Sequence, residues 1–177
     1  MVDRVDQNEE SGDDFFDAPT DGGEGIGLDT AEEVDYPALR QFTVISEEQC
    51  IFLLDLSRRF EASLVRVLGI SVQHQSDFTV AKLILNEPER GREILELAGF
   101  SPIESNVIAV ELTEGVDLPA VCSALLTAEL GILHLYPLLE PPRVNPVVAI
   151  SLENVELAIS VLHQQGFRLL DEGDFLT

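Results

Sequence analysis

The feature that most constrains this chain is an internal repeat on the scale of a small domain. Displacing its first folded segment by 67 residues lays Gly99-Phe100 on Gly166-Phe167, Val80 on Val147, Leu83 on Ile150 and Leu85 on Leu152. Self-similarity at a fixed offset means one supersecondary unit used twice. The 177 residues are enough for two small domains, and a 45% hydrophobic content is ample for their cores.

Hydrophobic periodicity fills in each copy. Phe42 to Ile45 reads as a strand, and Ser46-Glu47-Glu48-Gln49 has the form of a helix capping box with acids at the N-terminus. Leu53, Leu54, Leu56, Phe60 and Leu64 then fall mostly on one face of a helix running to about Ala62. Leu64 to Val72 is expected as a strand, His74 to Ser76 as a turn and Phe78 to Leu85 as a strand. Pro88 opens a second helix, where a proline needs no hydrogen-bond partner, and Gly99 closes it. In the second copy, strands are expected at Val107–Leu112, Ile132–Leu138, Val147–Leu152 and Arg168–Asp171, and helices at Leu118–Leu130 and Val155–Gln165. Each copy thus runs strand, helix, strand, strand, helix, strand. This is the α+β, ferredoxin-like order, in which helices cover one face of an antiparallel sheet.

Residues 1–36 differ in texture. Thirteen Asp and Glu stand against the single base Arg4 in the first 35 residues, and no hydrophobic period is present. Such a segment cannot bury enough apolar area to offset its ordering entropy, so a disordered acidic tail is expected. Its Phe15-Phe16 pair suits a short docking motif, while Gly22-Gly23-Glu24-Gly25-Ile26-Gly27 lacks the spacing and preceding strand of a phosphate loop and reads as a linker. The expected divisions are residues 1–36, 37–105 and 106–177.

Composition excludes several functions. With a formal charge of -23 and ten scattered bases, the chain has no surface for neutralising phosphates, so neither nucleic acid nor an anionic membrane is an expected partner. No signal-like segment opens the chain. Ala120 to Leu139 is long enough to span a bilayer, but Glu129, His134 and Pro137 favour a buried helix running into a buried strand. Cys50 and Cys122 lack the spacing of a zinc site and read as reduced thiols of a cytoplasmic protein. His74, His134 and His163 fall on a turn, a strand and a helix, with no nucleophile elbow or dinucleotide loop elsewhere. No catalytic residue, metal ligand or cofactor is assigned, and the chain is read as a non-enzyme.

Local sequence adds a resemblance. Ser76-Asp77-Phe78-Thr79-Val80-Ala81-Lys82-Leu83-Ile84-Leu85, Glu87-Pro88-Glu89-Arg90, Leu97-Ala98-Gly99-Phe100 and Val107-Ile108-Ala109-Val110-Glu111-Leu112 resemble the third strand, second helix and junction of bacterial tandem ACT-domain proteins. The likeness covers nearly everything from Arg40 onward and also extends to small regulatory subunits of the acetolactate synthase type. It implies two ACT units in tandem, a small amino acid as ligand, regulation of a metabolic enzyme and pairing into a homodimer by sheet extension.

The resemblance also implies where a ligand sits: at an interface of units, on the loop between first strand and first helix. There glycine admits the ligand to backbone amides, and the helix N-terminus favours a carboxylate. In the first copy this loop is Ser46, Glu47, Glu48, Gln49, Cys50 and Ile51, with Ile51 in place of glycine and two acids that repel a carboxylate. In the second it is Thr113, Glu114, Gly115, Val116, Asp117 and Leu118, where Gly115 gives backbone freedom and Asp117 either caps the helix or accepts a ligand ammonium. Tyr136, His134 and Asp77 are further candidates to line an interface. The competing reading is a ligand-free interaction module in which the paired units and the acidic tail dock on a partner.

Overall fold

The computed structural model describes residues 37–48 and 51–176. The acidic tail with Phe15-Phe16 and the Gly22 to Gly27 run lies outside them, as do Gln49 and Cys50 of the first loop. The order of elements is β1 (Leu39–Ser46), α1 (Ile51–Ala62), β2 (Val67–Gln75), β3 (Phe78–Leu85), α2 (Pro88–Leu97), β4 (Ile103–Glu111), α3 (Leu118–Thr127), β5 (Ile132–Pro137), β6 (Val147–Leu152), α4 (Val155–Gln164) and β7 (Leu169–Leu170), closed by a 3-10 turn at Glu172–Phe175. The expected α+β, repeated βαββαβ fold is present.

All seven strands join one antiparallel sheet in the order β2-β3-β1-β4-β6-β5, with β7 also on β4. Its centre is β4, which runs through the 105/106 position where the two units were expected to part. Residues 103–107 of β4 pair with β1 and thereby close the first unit. Residues 108–111 pair with β6, and 109–110 also with β7, opening the second.

Alternation along the strands creates three cores. Phe42 and Val44 of β1, Ala81, Leu83 and Leu85 of β3, and Phe52, Leu56 and Phe60 of α1 pack together on the helix side of the first unit. Ile108 and Val110 of β4 pack with Val148, Ile150 and the apolar faces of α3 and α4 in the second. The residues between them in sequence point the other way. Leu39, Ile84, Val107, Ala109, Val147 and Ala149 join Tyr136, Leu138, Leu170 and Phe175 in a third core. The sheet therefore curls so that its helix-free face closes on itself, with the helices outside. Burial on both faces is why Val107–Val110 of β4 and Val147–Ile150 of β6 are uninterrupted apolar runs.

The curl brings the outer strands β2 and β5 together, where the Leu139 amide donates to the Leu68 carbonyl at 2.7 Å. Gly69 is needed at this seam. A Cβ there would lie 2.7 Å from Leu138 Cδ2 and 3.2 Å from Tyr136 Cε2. The C-terminal turn seals one end: Phe175 is buried in the inner core, Arg66 donates to its carbonyl at 2.9 Å, and Arg40 pairs with Glu172 at 2.9 Å and also with Glu89.

All four helices end alike. The amides of Val65, Phe100, Leu130 and Phe167 each reach back to the carbonyl five residues earlier, across a left-handed residue at Leu64, Gly99, Glu129 or Gly166. This closure corrects two boundaries. Leu64, expected to start a strand, is the left-handed residue ending α1, with β2 beginning at Val67. Glu129 does the same after α3, so that helix stops at Thr127 rather than Leu130. Hydrophobic spacing alone cannot register this, because both copies place a non-glycine residue where αL geometry usually selects glycine. His74, expected in a turn, belongs to β2, and only Ser76-Asp77 connects it to β3.

If the curl depends on close approach at Gly69, Gly69→Val will lower the free energy of unfolding in urea by roughly 1–3 kcal/mol through overpacking. Gly131→Ala, at a position with open space around it, will stay within about 0.5 kcal/mol of the parent.

Candidate functional site

The second of the two expected ligand loops folds as a self-contained turn. Thr113 and Val116 exchange both backbone hydrogen bonds, at 3.2 and 2.9 Å, around Gly115 at φ 85°. Asp117 caps α3, its carboxylate accepting from the Ala120 amide at 3.0 Å. Thr113, Glu114, Asp117 and Leu118 are exposed and Val116 is half-buried. In the first loop, Ser46 is buried and its hydroxyl accepts from the Glu48 amide at 3.1 Å. Glu47 and Glu48 are exposed, and Ile51 opens α1 at 74% exposure.

The strand register keeps these loops apart within one chain. Thr43 lies opposite Ile103 and Leu39 opposite Val107, so β1 ends near the start of β4. The second loop follows the other end of β4, roughly 25 Å away along the strand at ordinary strand rise.

A different set of polar side chains converges inside the curl. Gln41, 1% exposed, sits on the inner face of β1, and its amide nitrogen donates to the Ser105 hydroxyl on β4 at 3.1 Å. Its amide oxygen accepts from the Tyr136 hydroxyl at 2.9 Å and lies 3.0 Å from His134 Nε2. Lys82 Nζ approaches the same imidazole, 2.9 Å from Nδ1 and 3.2 Å from Nε2. A neutral imidazole whose Nε2–H donates to Gln41 leaves Nδ1 as the acceptor facing the lysine ammonium. The His134 and Tyr136 rings stack, with centroids 6.0 Å apart and planes at 6°.

Electrostatics follow from this placement. Burial holds His134 below its ordinary pKa of 6.5, and the neighbouring Lys82 charge adds to the effect. Burial also lowers Lys82 from 10.5 and pushes the Tyr136 phenol above its usual value. A cavity of about 450 Å³ opens nearby, bounded by Ser105 and Asn106 of β4, Leu133 of β5, Ser151 of β6, Glu153 in the turn before α4 and Glu156 in its first turn. Two of its lining residues touch the seam, Ser105 by accepting from Gln41 and Ser151 by lying across from His134 in the β5–β6 register.

Tyr136 and His134 thus line the space between the units, whereas Asp77 is exposed in the β2–β3 turn. Gln41 and Lys82 were not singled out from sequence. Their signal was present: each holds an inward position in a strand whose other residues of the same parity are mostly apolar. Cys122 is a half-buried thiol on α3. Among the described residues, no group of three His, Cys, Asp or Glu side chains is placed to hold a metal ion. No helix among them is long and apolar enough to cross a membrane.

No protein-family model matches the chain, and no curated protein matches it. Solved structures do. A protein of Bacteroides thetaiotaomicron superposes with a TM-score of 0.70 at 17% identity, covering 80% of this chain and 97% of that one. The ligand-free regulatory subunit of aspartate kinase from Thermus thermophilus superposes with a TM-score of 0.50 at 17% identity, covering 72% and 92%. The chain has a tandem ACT-like fold. In this ACT-like pair the two units share β4, and the polar seam lies on the face turned away from all four helices.

Because the folded state holds His134 neutral, the unfolded state binds the extra proton as pH falls through 6.5. Stability will therefore be full above that pH and fall below it. His134→Gln will flatten the decline, measurable as urea midpoints taken across the acid range. An identical slope in both proteins would contradict the assignment.

Proposed function

We propose that this protein is a non-catalytic regulator that binds a small amino acid through its ACT-like units and modulates a metabolic enzyme in trans. The observation that carries the reading is the duplicated ACT-like architecture, whose similarity reaches 92% of the length of an aspartate kinase regulatory subunit. The described side chains support it by what they are engaged in. The second-copy loop carries an exposed Gly115 at φ 85° and, two residues on, Asp117 at a helix N-terminus. Carboxylate recognition by backbone amides at such a terminus is a general capacity of helices. A cytoplasmic location and a homodimer belong to the same proposal. Since the two β–α loops stand at opposite ends of β4, a site using both requires a second copy, and sedimentation of the full chain tests for one.

A second reading is favoured by the first-copy loop. Ile51 and the exposed Glu47-Glu48 pair are poorly suited to a carboxylate ligand, and an acidic N-terminal segment suits a basic partner. Under this reading the pair is an interaction module and residues 1–35 are its docking arm. Their deletion then abolishes partner capture.

Melting the full chain with each common amino acid tests the first reading. A selective ligand at a hundredfold excess over its Kd will stabilise the folded state by about 2.7 kcal/mol. Asp117→Asn keeps a competent helix cap but removes the charge, and will weaken the response to that amino acid about tenfold. A melting temperature unmoved by all of them would count against sensing and for the interaction module.

A further inference from the structure

β4 loses its neighbour along half of one edge. β1 pairs with residues 103–107 on one side of it, whereas β6, on the other side, pairs with residues 108–111 and goes no further than Ile108. Which backbone groups are left over follows from alternation, because successive residues of a strand turn their amides and carbonyls to opposite edges. The Glu111 amide donates to the Arg168 carbonyl, on the edge shared with β7 and β1, and the Leu112 amide donates to the Pro146 carbonyl, on the edge of β6. Counting back in steps of two through ladders without a register shift, the amides and carbonyls of Glu104 and Asn106 face the β6 edge. There β6 has already turned away: Ser151 and Leu152 stay paired with β5, and α4 begins at Val155. Glu104 and Asn106 therefore present a short open strand edge, unpaired among the described strands.

The cavity of about 450 Å³ lies in this notch, with Ser105 and Asn106 of β4 on one side and Ser151 to Glu156 on the other. Space beside an open edge is where an extended chain adds as a further strand, its main chain supplying affinity and its alternate side chains selectivity. Those side chains would meet a definite set of groups. Ile103 and Leu133 offer apolar surface at 60% and 59% exposure. Glu153 and Glu156 are exposed carboxylates at the cavity, and among the described residues no base pairs with either. Glu104 is already engaged by Arg92 at 2.8 Å. A second copy bound through the same patch would set these acids against themselves, in a chain of formal charge -23. Charge thus selects a cationic occupant. We propose that the open edge of β4 takes up an extended, lysine-bearing segment of a partner protein as an added strand, with Glu153 and Glu156 meeting its lysines. The site uses neither β–α loop nor residues 1–35 and is separate from both proposed functions.

Amide hydrogen exchange reads main-chain pairing residue by residue. The probe is the acetylated and amidated pentapeptide Val-Lys-Val-Lys-Val, added to the full chain and compared with the same peptide methylated on every backbone amide, which keeps the charges but cannot form a strand ladder. At saturation, exchange at Glu104 and Asn106 is expected to slow about tenfold or more, with Ser105, whose amide faces β1, unchanged. The methylated peptide is expected to slow neither, and Glu153→Gln/Glu156→Gln to raise the dissociation constant roughly three- to tenfold. The proposal is overturned if the lysine peptide leaves both amides exchanging as before, if the methylated peptide protects them equally, as binding by charge alone would, or if the double variant binds with the parent's affinity. Protection of Glu104 and Asn106 already present in the free chain, and growing with its concentration, would overturn it in favour of a second copy on the same edge. Amino-acid melting shifts play no part in this readout, so amino-acid sensing and the added strand can fail separately.

Discussion

The structure depends on burying one sheet on both faces. Helix faces cover one side, and the other side closes by curling until β2 meets β5 across Gly69. β4 makes this possible, because a single strand has to present Ile108 and Val110 to one core and Val107 and Ala109 to another. Every residue from Val107 to Glu111 is consequently buried. Two ferredoxin-like units joined by a flexible linker would each expose a bare sheet face. Sharing a strand fuses them into one packed body, which couples any event at one unit to the backbone of the other.

Closing a sheet on itself does not require an all-apolar interior, and this one has a polar seam. Gln41, Tyr136, His134 and Lys82 follow one another through polar contacts that begin at the Ser105 hydroxyl and end at the lysine. Polar contacts between strands fix the register of the elements that carry them. Register here has a particular consequence: Gln41, Lys82 and His134 come from β1, β3 and β5, so their convergence exists only when both units are folded and curled.

The contrast with the β–α loops is instructive for how an ACT-like pair can respond to a ligand. Those loops lie at the two ends of β4, with the second already closed on itself by the Thr113–Val116 hydrogen bonds and the Asp117 cap. The seam lies between the units and within one chain. Any ligand acting at a loop would influence the units one at a time, whereas a change of charge in the seam acts on strands of both.

Much of the fold was legible along the chain. The 67-residue repeat, the strand β6 at Val147–Leu152, and the helix signals at Pro88 and Gly99 all rest on local chemistry or on the alternation of apolar residues, and both are written in neighbouring positions. The left-handed ends at Leu64 and Glu129 were not legible, because their geometry is imposed by the carbonyls and packing of the preceding helix on residues that do not prefer it. Which face of each strand would be covered by helices and which by the other half of the sheet was equally hidden. Alternation gives two faces but does not say what lies against either. The sequence alone determined that the chain carries two copies of one α+β unit behind an acidic segment. Only the tertiary structure decided that they share a strand, that the candidate loops end up apart, and that Lys82 and His134, 52 residues apart in the chain, become neighbours. Those outcomes are set by long-range strand pairing and curl, which no local pattern encodes.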